Sequence, residues 1–233
     1  MIKLGIVCGL ALEAAIVKRA ASDLAPEAVP FIVHSGPGPE RASAVTSRLI
    51  ERGAEALLSF GLAGGLEPTL RNGDVVIASA INTGQSDLKC DAAWATRLYG
   101  GLTNAFNVFM APLAASQDVL KTPENKAEAF KTTGAAAVDM ESAGIAEAAA
   151  AKGLPFTALR VVCDRADETI PPIAAEAMTW EGRVRATATV LRALTHPAQI
   201  PDLVRLGART HSARRVLGKL AGFGLRHGFF ASG

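Results

Sequence analysis

The chain has 233 residues, 49% of them hydrophobic, and a formal net charge of +2. That length is enough for one large core, and near-neutral charge without a recognition motif argues against nucleic-acid binding. Cys8, Cys90 and Cys163 form no CxxC pair, and His196, His211 and His227 crowd the end of the chain, so a disulfide framework or a metal centre is not expected.

The N-terminal run Leu4 to Val17 is apolar, but Glu13 interrupts it and no cleavage region follows. No stretch reaches the roughly 20 apolar residues of a membrane span. A cytoplasmic protein is expected.

In chain order the pattern alternates. Residues 2–9 read as a buried strand, 12–24 as a helix and 29–36 as a strand. A Pro-Gly turn leads to a helix over 41–52, then a strand over 55–60 runs into Gly61-Leu62-Ala63-Gly64-Gly65. A strand over 73–80 precedes a loop-rich stretch from about 82 to 111. Helices are predicted over 126–130 and 140–152, a strand over 154–164 and a helix over 180–194. This alternation predicts a single α/β domain with a mixed central sheet flanked by helices.

Ligands of such sheets gather at the carboxyl ends of strands. The stretch GPGPER (36–41) resembles the opening of a dinucleotide fingerprint but fails it, because Arg41 stands where the third glycine belongs. No cofactor is expected. The glycines of 61–65 let the backbone approach a ligand or a packed helix closely. Asp139 and Glu141 serve either the start of a helix or a ligand. Asp164 stands at a strand end, with an N-cap or turn role as its alternative, and Glu13 stands in a first helical turn, with an exposed carboxylate as its alternative.

Four stretches tip the balance: GIVCGLALEA, GLAGGLEPTLRNGDVVIAS, AVDMESAGIAEAAAAKGLPF and LRVVCDRAD. Together, over about residues 2–193, they resemble the nucleoside phosphorylase and nucleosidase superfamily, which includes purine nucleoside phosphorylase, uridine phosphorylase and methylthioadenosine/S-adenosylhomocysteine nucleosidase. Length, the segment HPAQIPDLVRL and the basic tail look most like the hopanoid-associated phosphorylases, which are thought to remove adenine from adenosylhopane. The resemblance implies a catalytic domain over 1–194 and a C-terminal extension over 195–233.

It also implies roles. Asp164 takes the position of the acid that protonates the leaving purine. Glu141 takes that of the ribose-hydroxyl ligand, with Met140 packed against the sugar. Asp139, Ala63, Gly64, Leu120 and Arg160 complete the substrate-binding set. Glu13 matches the glutamate that activates water in the hydrolases. The bacterial phosphorylases have a phosphate-binding arginine at this spacing from the glycine, and a carboxylate there would repel phosphate. Arg41 or a neighbouring subunit's arginine could supply the charge, so inorganic phosphate and water both stand as acceptors. Leu62 and Leu120 replace polar and aromatic pocket residues of many relatives, which suits a greasy, lipid-linked adenine nucleoside. Alternatives are a methylthioadenosine/S-adenosylhomocysteine-type nucleosidase or a non-catalytic nucleoside binder. A homo-oligomer is implied.

From Arg183 onward nine Arg or Lys face a single acid, Asp202. Apolar residues 200, 203 and 204, and 213, 216, 217 and 220, keep helical spacing. One reading is a helix packed on the domain with a solvated basic face. The other is an amphipathic segment on anionic lipid, with Phe223, Phe229 and Phe230 inserting, giving peripheral membrane contact.

Overall fold

The computed structural model describes residues 2–171 and 200–230. The helix expected over 180–194 and the 194/195 boundary lie outside them.

Strand β1 (Leu4–Cys8) is buried along its whole length, as an uninterrupted apolar run requires. It is followed by α1 (Ala11–Ala20), β2 (Phe31–His34), α2 (Pro39–Glu51) and β3 (Ala56–Gly65). Strand β3 does not stop at Phe60 but carries the glycine-rich run as its last residues. Next come β4 (Val75–Asn82), β5 (Asp87–Lys89), α3 (Ala92–Leu102) and β6 (Val108–Ala115). The stretch expected to be loop-rich therefore holds a helix and strands. Asp91 caps α3, its Oδ1 accepting from Trp94 N at 2.8 Å. Gly100 and Gly101 disguise the helix in the sequence. Gly101 is needed because a Cβ there would lie 2.6 Å from the Phe229 ring.

The chain continues with α4 (Pro123–Thr133), β7 (Ala137–Asp139), α5 (Ser142–Ala150), β8 (Phe156–Asp164) and α6 (Ile200–Arg226). Thr122 caps α4, and Gly134 ends it at φ 63°.

Strands β2, β1 and β3 run parallel. Strand β8 pairs parallel with β3 and antiparallel with β4. Because β4 pairs with β6, β6 with β7 and β7 with β3, these strands and β8 close on themselves. The sheet is mixed, and the carboxyl ends of β1, β3 and β8 point the same way.

Helices cover both faces. Trp94 and Leu98 of α3 pack with Val17 of α1 on one side, and Leu49 of α2 packs with Ile145 of α5 on the other. Helix α6 belongs to the first side. Its Ala213, Leu217, Leu220 and Ala221, and Phe230 just after it, are buried in the core that holds Ile6 and Phe60. Phe230 is 1% exposed and tilts against Phe60 with ring centroids 5.5 Å apart. Phe223 and Phe229 pack partly buried against the same core. The phenylalanines expected to insert into lipid are thus inside the protein, because their apolar surface is satisfied by β3 and α3. Among the described residues no helix is long and apolar enough to cross a membrane.

Candidate active site

Arg160, on β8, organises a buried cluster. It is 0% exposed, so its charge must be matched. Its Nε donates to Asp139 Oδ2 at 2.5 Å, and Nη2 donates to Ser59 Oγ at 2.7 Å and Ser142 Oγ at 3.0 Å. Asp139 also accepts from the Ser142 amide at 3.1 Å and from the Ser142 hydroxyl. Asp139 was expected to bind substrate, but both of its oxygens are turned inward. Its carboxylate serves Arg160 and the first turn of α5. Arg160 likewise stands behind the site, spending most of its donors on protein groups.

Two more carboxyls lie close to Arg160. Glu141 Oε2 lies 3.8 Å from Nη2. Glu13, at the start of α1, accepts from Leu10 N at 2.9 Å and from Leu62 N at 2.8 Å. The second of these bonds ties the first loop to the glycine-rich end of β3.

Glycines make room for this crowd. A Cβ on Gly9 would sit 2.6 Å from the Glu141 carboxyl carbon, and one on Gly61 would sit 2.6 Å from Arg160 Nη1 and 2.7 Å from Glu13 Oε1. The close approach that the glycine run permits is therefore made by the protein's own charged groups. The Gly38 N–H also reaches Glu141, which brings the Pro-Gly turn into the site.

Burial sets the protonation of these acids. Glu141 is pushed up to about 8, first by desolvation and then by the Asp139 charge, against the pull of Arg160. Glu13 is raised by burial, with Arg160 and the amides of Leu62 and Leu10 opposing.

Asp164 ends β8 beside Gly64, whose added Cβ would be 3.4 Å from Oδ2. Its carboxyl is raised by burial, opposed chiefly by Lys126. The ordinary reading of Asp164 as a helix cap does not apply, since its Oδ2 accepts from Lys126 Nζ at 2.5 Å. Ala63 is buried beside Gly64 on β3, while Met140 is half-buried between Asp139 and Glu141. Leu120 is half-buried against Leu66 and Val138. Arg41 is exposed near the start of α2. Among the described residues no group of His, Cys, Asp and Glu is placed to hold a metal ion.

Sequence reasoning missed Ser59, Ser142 and Lys126. The signal for Lys126 was present: it shares a helical stripe with Ala129, Phe130 and Thr133, and a lysine on an apolar stripe calls for a buried partner.

The mixed α/β sheet thus gathers buried carboxyls at its strand ends, close against glycines. Residues 3–196 match the phosphorylase superfamily, and the chain belongs to it. The fold is shared with futalosine hydrolase of Helicobacter pylori strain 26695, in a mutant form, at TM-score 0.70 and 17% identity, over 97% of this chain and 100% of that one. A Helicobacter pylori methylthioadenosine/S-adenosylhomocysteine nucleosidase mutant, with 5′-methylthioadenosine in its active site, superposes at TM-score 0.67 and 16% identity, over 94% and 98% of the two chains. A putative methylthioadenosine nucleosidase from Weissella paramesenteroides matches at TM-score 0.64 and 20% identity, over 95% and 97%. The chain therefore carries the phosphorylase-superfamily fold that these enzymes share.

Proposed function

We propose that the protein cleaves the N-glycosidic bond of a purine nucleoside. The observation that carries this reading is the placement of three buried carboxyls against glycines at the strand ends: Glu141 at Gly9 just past β1, and Glu13 and Asp164 at Gly61 and Gly64 of β3. A nucleobase is a poor leaving group, so a proton must reach it as the C1′–N bond breaks. Asp164 gives that proton, and the bonding electron pair stays with the base. Glu141 faces the sugar hydroxyls, with Met140 against the ring and the Ala63-Gly64 backbone beside it. Glu13 takes a proton from the water that attacks C1′. Burial makes Glu13 a stronger base than an ordinary carboxylate, which suits that task.

Water is the favoured acceptor over inorganic phosphate. Glu13 stands in the first turn of α1, and Arg160 is already engaged by Asp139 and two hydroxyls. The preferred substrate in this reading carries a large apolar group at the 5′ position, with adenosylhopane as the fullest version. Leu62 and Leu120 support it, both half-buried and apolar. The outer face of α6, where Arg205, Arg215, Lys219 and Arg226 are exposed, would rest on anionic lipid without phenylalanine insertion. The active unit is a homo-oligomer.

The test is adenine release from methylthioadenosine and from a 5′-alkylated adenosine, with and without phosphate. Release without phosphate, faster on the alkylated substrate, is expected. Binding without release would leave a nucleoside-binding protein on this fold, and strict phosphate dependence would overturn the choice of water.

A further inference from the structure

Lys126 is a 0% exposed lysine whose ammonium has no contact with solvent. It uses all three of its protons: Nζ donates to Asp164 Oδ2 at 2.5 Å, to the Arg165 carbonyl at 2.6 Å and to the Glu168 carbonyl at 2.9 Å. Three acceptors at three corners leave the ammonium no freedom to rotate. Asp164 Oδ1, by contrast, accepts no hydrogen bond among the described residues. Among the described residues that oxygen is left open at the strand end, close to Gly64.

We propose that Lys126 is a positioning residue for proton donation by Asp164: it fixes Oδ2, leaves Oδ1 to the nucleobase, and stabilises the carboxylate that forms as the proton departs. This deepens the function proposed above and rests on it. Before reaction Asp164 is a neutral acid with its proton on Oδ1, and Oδ2 accepts from the ammonium. As the C1′–N bond breaks, the Oδ1 proton moves to a ring nitrogen of the purine, and negative charge appears on Asp164. The ammonium is already in place, in a site shielded from water, so nothing must reorganise to meet that charge. Lys126 keeps its three protons throughout, and the proton lost by the attacking water goes to Glu13.

Other charged groups face the pair. Glu168 turns its carboxylate away, Oε1 to Arg209 Nε of α6 at 3.1 Å and Oε2 to the Arg165 amide at 2.9 Å. The Arg165 side chain is exposed and pairs with Asp167. Glu168 therefore raises and Arg209 lowers the Asp164 carboxyl from a distance, while Lys126 is the one side chain among the described residues bonded to it. The elements on the opposite side bring Gly64 and Val138, which carry no charge.

The test compares two leaving groups. Adenine needs protonation to depart, whereas the nitrophenolate of 4-nitrophenyl β-D-riboside does not. In Lys126→Met, kcat for methylthioadenosine is expected to fall about 10²-fold. The alkaline limb of its pH profile should move up by about one unit or more, because Asp164 holds its proton longer without the ammonium. Cleavage of the nitrophenyl riboside should change less than about threefold, the spread expected when the general acid is not needed. Equal losses on both substrates, or an unmoved alkaline limb, would overturn the proposal. If Lys126→Met does not fold, Lys126→Gln keeps donors for the two carbonyls while removing the charge, and the same outcomes apply. A wild type that cleaves neither substrate would instead reject the reaction itself.

Discussion

Glu13 commits each carboxylate oxygen to one backbone amide, Leu10 N and Leu62 N, and keeps a second lone pair on each for a ligand. Substituting Glu13→Gln keeps the shape but puts an NH2 group where one oxygen accepted an amide. One donor must then face another, and a buried unsatisfied group costs about 1–3 kcal/mol. The chemical effect separates the two acceptors. With water attacking, the variant has no base in the first loop, and adenine release should drop by about 10²-fold or more. With phosphate attacking, removing a negative charge would leave the rate intact or improve phosphate affinity. Steady-state assays of the folded variant across phosphate concentrations decide it, and an unchanged phosphate-dependent rate would remove Glu13 from the mechanism.

At the scale of elements, α6 shows what amphipathic spacing can and cannot say. The stripe formed by Ala213, Leu217 and Leu220 predicts a helix with one apolar face, and it forms one. Spacing alone does not say what covers that face, because lipid and a protein core present the same apolar surface. Here the cover is α1, β3 and β8. Asn72 also bonds the Cys163 and Arg209 carbonyls, which ties α6 to the strand bearing Asp164. Leu217→Ala or Leu220→Ala should therefore cost about 2–5 kcal/mol. Arg215→Ala and Lys219→Ala, on the exposed face, should stay within about 0.5 kcal/mol. Urea midpoints measure both, and equal effects would mean that α6 contributes no core. Truncation before Ile200 should unfold the chain rather than release an active domain.

The site acids were less legible than α6: taken alone, Glu13, Glu141 and Asp164 each read as ordinary helix-start or turn carboxylates, and only the order of the four family-like stretches singled them out. Arg160's partners were less legible, because Ser59 on β3 and Ser142 on α5 meet it only once the sheet closes. Lys126 meets Asp164 across 38 residues, and no local pattern encodes that pairing. The strand at 108–115 was hidden by Pro112 and by the glycines of α3.

For the whole molecule, the distinctive feature is a core in which burial raises the proton affinity of its acidic groups. Glu13, Glu141 and Asp164 all have their affinity for protons raised by burial. The unfolded chain exposes them, and their pKa values return to the ordinary carboxylate range of about 4. Between that range and the folded value the native state binds more protons than the unfolded state. Stability must then fall as pH rises, by up to about 1.4 kcal/mol per pH unit for each group in its window. For Glu141 the window runs from its ordinary value of 4.5 to about 8. The stabilising protonated state is fully present below the lower bound and is lost as pH passes the upper one. The lowered acids Asp167 and Glu124 act the other way only at lower pH, and they lie on the surface, where solvent screens them. The melting temperature of the unliganded protein should therefore peak in mildly acidic buffer and decline toward pH 8. Glu141→Gln, which cannot ionise, should flatten that decline by the share of one proton. A melting temperature that instead climbs between pH 5 and pH 8, in the wild type and the variant alike, would mean that the buried acids are charged and that Arg160 and Lys126 outweigh their burial.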